Sequence, residues 1–287
     1  MRLPDWLVYL LMLIGVVSAI YAVPMFWESQ QAKQPNSKLA SDLEIEATVG
    51  RDLPPPSLLG DTIKIQVEPP QNGTGTAFAI NRRGDWLTAR HVVEGCDQVY
   101  IYPTPGIEEP VRRVIVDKNF DLALLSTDLS TTPLSLNLSE DLKVGGAGYH
   151  TGFPQARPGE VRARLHSQTL FFTFGERQGE EPVLIWIEQG RTNGLNGELG
   201  GISGGPVFDR DGNVMSVSLA YSSRLGRLYS STPGSIEAFL IAAGVPYNGS
   251  SGENEITPST YTEFADAARA NQQIAKLICV VEEPKSE

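Results

Sequence analysis

The amino-acid sequence predicts an all-β protein whose extended part is divided into two lobes. Between residues 60 and 232, short extended runs alternate with clusters of turn residues, and no long helical period interrupts them. Helical patterns fall only at the N-terminal end and after residue 235. One histidine, one aspartate and one serine with suggestive neighbours follow each other along the extended part, as His91, Asp121 and Ser203.

The 287-residue chain opens on an apolar stretch from Trp6 to Trp27 that is almost free of charge and long enough to span a bilayer as a helix. Arg2 and the α-amino group precede it, and Trp6, Tyr21 and Trp27 suit interfacial positions. The expected segment 1–27 is therefore a single-pass anchor, cytoplasmic at its start, with the remainder outside. A cleaved signal peptide is the alternative, because Val17-Ser-Ala19 offers small residues; continuation of the apolar run through Phe26 favours the anchor. Residues 28–57 read as a tether ending in the stiff segment Arg51-Asp-Leu-Pro-Pro-Pro56.

The first lobe, about 58–135, collects Thr62-Ile-Lys-Ile-Gln-Val67, Ala77-Phe-Ala-Ile80, Val99-Tyr-Ile-Tyr102, Val111-Arg-Arg-Val-Ile-Val116 and the apolar strand headed by Asp121. Ser130 to Asp141 holds few strand formers and is the expected crossing. The second lobe, 142–243, has runs at 144–149, 161–165, 170–174, 183–187, 206–208 and 214–219, with a hairpin turn at Asp209-Arg-Asp-Gly212. A helix over Ser235 to Ala243 stops at Gly244 and Pro246, and residues 244–287 read as a linker followed by a helical pattern from Tyr261 to Leu277 and a strand-like end, Ile278-Cys-Val-Val281.

Gly201-Ile-Ser203-Gly-Gly205 also satisfies the G-x-S-x-G elbow of the α/β-hydrolases, but those need a histidine after the serine, and His91, His150 and His166 all precede it. The subtilisin order would need a parallel α/β sheet, which the extended runs do not supply. Ser203 is a poor nucleophile until a base takes its proton, a role suited to His91, whose ordinary pKa lies near neutrality. Asp121 heads an apolar strand, where orienting an imidazole would compensate its burial. A surface histidine and a strand-start aspartate are the plainer readings of each residue taken alone.

Four segments together resemble the chymotrypsin-like serine proteases, and more closely their bacterial branch of trypsin-like, high-temperature-requirement type. These are Gly73-Thr-Gly-Thr-Ala-Phe-Ala-Ile80, Leu87-Thr-Ala-Arg-His91-Val-Val93, Phe120-Asp-Leu-Ala-Leu-Leu125 and Gly201-Ile-Ser-Gly-Gly-Pro-Val207. The resemblance covers roughly residues 58–243. It implies two six-stranded antiparallel β-barrels, joined here to an N-terminal transmembrane helix and a short helical C-terminal extension too small for a PDZ domain. It further implies a serine endopeptidase in the periplasm or outside the cell, with His91 as base, Asp121 as its carboxylate, Ser203 as nucleophile and the amides of Gly201 and Ser203 as oxyanion hole. Two departures affect substrate fit: Arg90 replaces a small residue before the histidine, and Ile202 stands where the family often has Asn or Asp. Gly197 falls near the primary-pocket determinant, which disfavours a basic side chain, with the adjacent acid Glu198 keeping that option open. Leu219, Ala220 and Tyr221 would pair with the peptide and suit a small or medium apolar side chain. His150 is a minor substrate-contact candidate.

The net charge of −11 argues against a nucleic-acid groove, and three separated histidines with two distant cysteines give no metal-ligand spacing. No cofactor is expected; the expected partners are a protein or peptide substrate and the membrane, and the sequence identifies no regulatory partner. A non-cutting peptide-binding scaffold and a serine esterase are the competing functions. Cys96 and Cys279 form either a disulfide from the tail to the first lobe or two separate thiols; an extracytoplasmic address permits the bond.

Overall fold

The computed structural model describes residues 50–56, 63–67, 69–139, 141–175, 178–250 and 255–282. The apolar stretch 6–27, and with it the expected anchor, lies outside them; among the described residues no helix is long and apolar enough to cross a membrane. The described strands are β1 (Ile63–Val67), β2 (Gly73–Ala79), β3 (Asp85–Thr88), β4 (Gln98–Thr104), β5 (Ile107–Pro110), β6 (Arg113–Val116) and β7 (Ala123–Ser126). They continue as β8 (Ala147–Gly152), β9 (Gly159–Gly175), β10 (Gly179–Arg191), β11 (Pro206–Phe208), β12 (Val214–Ser222), β13 (Arg227–Ser231) and β14 (Ile274–Val280). Helix α1 spans Pro233–Ala243 and α2 spans Tyr261–Ala270.

Two curved, mostly antiparallel sheets result, and they correct the expectation of two six-stranded barrels. The first runs β5-β4-β14-β2-β3-β7-β6, and its edge strands β5 and β6 are not paired with each other, so it is not a closed barrel. The second also has seven strands, β1-β9-β10-β13-β12-β11-β8, curled so that β9 pairs with β8 as well as β10. Strand β1, which alternation alone assigns to the first lobe, instead joins the second sheet in parallel, Ile63 opposite Phe171. Alternation reports a half-buried strand but carries no information about its partner.

The expected helical C-terminal extension is also corrected. Helix α2 is followed by β14, which lies between β2 and β4, with Leu277 opposite both Gly75 and Ile101. Leu277 and Ile274 are fully buried, so this tail supplies a central strand of the first sheet. Cys279 in β14 is bonded to Cys96, 183 residues earlier.

Local chemistry accounts for most element ends. Thr232 caps α1 by accepting the Ser235 amide, Pro233 opens its first turn, and Gly244 at φ 64° closes it. The two runs expected at 161–165 and 170–174 are one strand, β9, whose hairpin with β10 bends through register shifts near Trp186 and Glu188. Apolar side chains of both sheets meet in one core that includes Phe78, Trp86, Leu124, Phe208, Val217 and Leu277. A second core lies within the second sheet, around Trp186, Leu199 and Ile202. Part of the expected tether is attached: Leu53 N donates to Leu142 O at 3.0 Å, and Val144 N to Arg51 O at 2.9 Å.

Since the disulfide closes so long a loop, the double substitution Cys96→Ser with Cys279→Ser is expected to lower the free energy of unfolding by about 5 kcal/mol. Urea denaturation monitored by tryptophan fluorescence measures this, and a midpoint equal to that of the oxidised parent would remove the disulfide from the stability of the fold.

Candidate active site

His91 occupies a single 3-10 turn, Arg90–Val92, that leaves β3 just after the buried Thr88 and Ala89. Asp121 stands immediately before β7, and its carboxylate binds the histidine twice. Oδ1 accepts the His91 backbone N–H at 2.8 Å, and Oδ2 lies 2.6 Å from Nδ1. The pair is therefore fixed in both position and ring orientation. Arg90, one departure from the resembled pattern, serves the structure of this turn. Its guanidinium pairs with Glu94 and donates to the Asp117 carbonyl, tying the turn to the loop that leads to Asp121.

A carboxylate that sequence inspection missed completes this group. Glu181, on β10 of the other sheet and only 2 % exposed, accepts the Asp121 backbone N–H through Oε2 at 2.8 Å. Enclosure in the cleft is the largest influence on the His91 pKa and lowers it, but the charge and hydrogen bond of Asp121 with the charge of Glu181 outweigh it, leaving the pKa raised. The imidazole side chain is 43 % exposed, so water reaches its outer edge and limits the desolvation.

Ser203 sits in a turn whose backbone permits no side chain at three positions. Gly201 has φ 98°, and a Cβ there would lie 2.4 Å from the Phe153 carbonyl oxygen. Gly204 has φ 84°, and its Cβ would lie 2.1 Å from Thr88 Oγ1; that of Gly205 would meet the Thr151 carbonyl at 2.1 Å. Ile202 is buried in the second core, which explains an apolar residue before the serine. The amides of Ile202, Gly204 and Gly205 donate to Leu199, Ser218 and Ile202 carbonyls, whereas those of Gly201 and Ser203 have no protein acceptor among the described residues. The Gly200 carbonyl accepts the Gln155 amide at 2.6 Å, and in a trans peptide the Gly201 N–H must then point the opposite way.

His91, Asp121, Ser203, Leu219 and Ala220 all line one cavity of about 630 Å³. Ser203 Oγ donates to the Leu219 carbonyl at 3.1 Å. The structure does not bring Gly197 or Tyr221 to that cavity wall. Both are held by Arg191, a residue without a sequence signal, whose guanidinium donates to the Gly197 carbonyl at 3.0 Å and to the Tyr221 hydroxyl at 2.7 Å. His150 is fully buried, with Nδ1 2.9 Å from Ser218 Oγ and its ring edge-on to Trp186; burial pushes its pKa down to about 3 and keeps it neutral, away from the cavity. No cluster of metal-ligating side chains occurs among the described residues.

Residues 75–217 match the trypsin-like peptidase domain family. A probable periplasmic DegP-like serine endoprotease of Halomonas elongata is 31 % identical over 157 residues, covering 53 % of this chain and 30 % of that protein. Its counterpart in Hahella chejuensis is 27 % identical over 168 residues, covering 58 % of this chain and 34 % of that protein. The chain carries a trypsin-like serine protease domain related to the bacterial HtrA/DegP family. Its kinship supports peptidase activity for the domain. The matched stretch spans about a third of the length of these relatives. The Rv3671c protease of M. tuberculosis in its active form is a further similar chain, 17 % identical with a TM-score of 0.49, covering 72 % of this chain and all of that one. The family match to the protease domain ends before Leu219, so Ala220, Tyr221, both helices and β14 lie beyond it.

Glu181→Gln keeps an acceptor for the Asp121 amide and removes one negative charge that favours the imidazolium. The His91 titration midpoint is therefore expected to move to lower pH, so that the neutral base persists into more acidic solution. Imidazole NMR titration of parent and variant reads this directly; an unchanged or higher midpoint contradicts the assigned charge effect.

Proposed function

We propose that the chain is a membrane-tethered, extracytoplasmic serine endopeptidase that cuts peptide bonds through an acyl-enzyme. The observation that carries this reading is that His91, Asp121 and Ser203 share one cavity wall while a carboxylate already holds the imidazole by Nδ1. In the proposed cycle Ser203 Oγ attacks the scissile carbonyl as His91 Nε2 takes its proton. Asp121 holds the Nδ1–H and stabilises the imidazolium. The negative oxygen is received by the amides of Gly201 and Ser203, one such donor being worth about 3 kcal/mol in the transition state. His91 then gives the proton to the leaving amine, and water, activated by the same base, attacks the ester carbon to release the acid and restore Ser203.

An extended peptide would lie along Leu219 and Ala220, the part of the expected edge that lines the cavity, and pair with them through backbone hydrogen bonds. Its amide would compete with Ser203 Oγ for the Leu219 carbonyl, so substrate binding would itself turn the hydroxyl toward His91. A small or medium apolar side chain suits a pocket walled by Leu219 and Ala220. The address outside the cytoplasm is supported by the periplasmic relatives and by the Cys96–Cys279 disulfide, and the tether by the apolar run from Trp6 to Trp27.

A non-cutting peptide-binding scaffold is favoured by one observation, the engagement of Ser203 Oγ by a main-chain carbonyl. Fluorophosphonate labelling with peptide mapping separates the two. Labelling is expected at Ser203, with none in Ser203→Ala, and Asp121→Asn is expected to slow peptide hydrolysis about 10⁴-fold through the wrong imidazole tautomer. A folded, membrane-extracted protein that neither labels nor cleaves members of a peptide library would leave the scaffold.

A further inference from the structure

Gln155 and Ala156, in the short connection between β8 and β9, have φ of 54° and 60° although neither is glycine. Non-glycine residues keep this backbone conformation only where their surroundings hold it. On one side the connection grips the segment leading to Ser203. The Gln155 amide donates to Gly200 O at 2.6 Å, and its side-chain Nε2 donates to Asn196 O at 2.6 Å and Glu198 O at 2.9 Å. Three carbonyls of the 196–200 segment thus converge on one residue, the last belonging to the peptide whose N–H is that of Gly201.

On the other side the connection is held by α2. Arg269 is 9 % exposed, and its Nη2 donates to Gly152 O at 3.0 Å, to Gly159 O at 3.2 Å and to the carboxylate of Glu160, which is itself 1 % exposed. Gly152 and Gly159 are the two residues between which the connection is strung. The guanidinium also lies 5.5 Å from the centre of the Phe153 ring. The second Glu160 oxygen accepts from Thr192 Oγ1 at 2.6 Å, at the start of the segment whose other end Gln155 holds.

We propose that Arg269 and Gln155 are positioning residues for the oxyanion hole, through which the C-terminal helix α2 fixes the orientation of the Gly200–Gly201 peptide. The inference rests on the protease reading given above. Arg269 holds both ends of the 153–158 connection, and Gln155, held in place by it, turns the Gly200 carbonyl outward and the Gly201 N–H toward the site of the developing charge. Neither residue touches substrate. Their removal slows the covalent step while leaving initial binding in the cleft as it was.

The test uses the full chain and a fluorophosphonate at increasing concentrations, so that the limiting rate of phosphonylation of Ser203 is separated from the half-saturating concentration. Gln155→Asn tolerates the left-handed backbone but is one methylene too short for its carbonyl partners, and Gln155 is exposed, so the fold is retained. Its limiting rate is expected to fall about tenfold, part of the loss expected for a whole oxyanion donor, with half-saturation and melting temperature unchanged. Arg269→Lys is expected to lower the limiting rate likewise with half-saturation unchanged, together with a lower melting temperature because a lysine cannot keep all the buried bonds to Gly152, Gly159 and Glu160. Because both act through one connection, the double variant is expected to be no slower than the slower single one. A Gln155→Asn variant that labels at the parental limiting rate overturns the proposal, as does a double variant whose losses multiply. A parent that is not labelled at Ser203 overturns the protease reading, and the proposal falls with it.

Discussion

Thr76 makes three hydrogen bonds that lock the two sheets together beside the candidate site, and a fourth within its own sheet. Its amide donates to Ser203 O at 2.9 Å, its hydroxyl donates to Gly201 O at 2.8 Å and accepts from the Phe153 amide at 3.0 Å, and its carbonyl accepts from Thr88 Oγ1 at 2.7 Å. The side chain is completely buried. In the proposed cycle a base carried by one sheet and a nucleophile carried by the other are useful only at fixed separation, and an error of about 1 Å in such a group can cost about a hundredfold in rate. Glycine at 204 follows from this constraint, since a Cβ there would meet Thr88 and the Thr76 carbonyl of the first sheet, whereas at 201 and 205 it would meet the Phe153 and Thr151 carbonyls.

Two acidic groups are buried near this contact, one bonding across the sheets and one to helix α2. A lone buried carboxylate is costly, and each one here has donors that reduce the cost. Glu181 accepts the amide of Asp121 across the interface, and Glu160 is divided between Arg269 and Thr192. Replacing these by apolar residues would leave the donors unpaired, which is the more expensive error. The polar interface therefore specifies one relative placement of the sheets, which the shared apolar core, indifferent to small slides, specifies poorly.

What could be read from the sequence divides along physical lines. That His91, Asp121 and Ser203 line one cavity could be anticipated because the chemistry proposed for them restricts residue types severely. Strand existence was legible at Ala77–Ile80 and Val214–Leu219, where β-branched and apolar residues fill short runs between turns. Partners were not: β1 joined the second sheet in parallel, and β14 proved central rather than appended, since pairing between segments so far apart in the chain leaves no local trace. Glu181, Arg191 and Arg269 escaped for a related reason. Each acts through the main chain, of a distant segment for Glu181 and Arg269 and of the following loop for Arg191, and a carbonyl or amide that accepts or donates imposes no residue type on its partner.

The placement of β14 also fixes the order in which the site can be assembled. Strands β2, β3 and β7 are near neighbours in sequence and can pair early, but β2 has its other edge open until β14 arrives, and β4 pairs with β14 rather than with β2. Long-range pairing is slow because the closure of the intervening chain must be completed before contacts compensate its entropy. The His91 turn lies beside this late seam and is bonded through the Cys96 segment to Cys279, in the last strand of the chain. Arg269, ten residues before Cys279, reaches the serine side of the cleft from the same tail. Both sides of the candidate site therefore depend on helix α2 and strand β14, segments far along the chain from the strands they join.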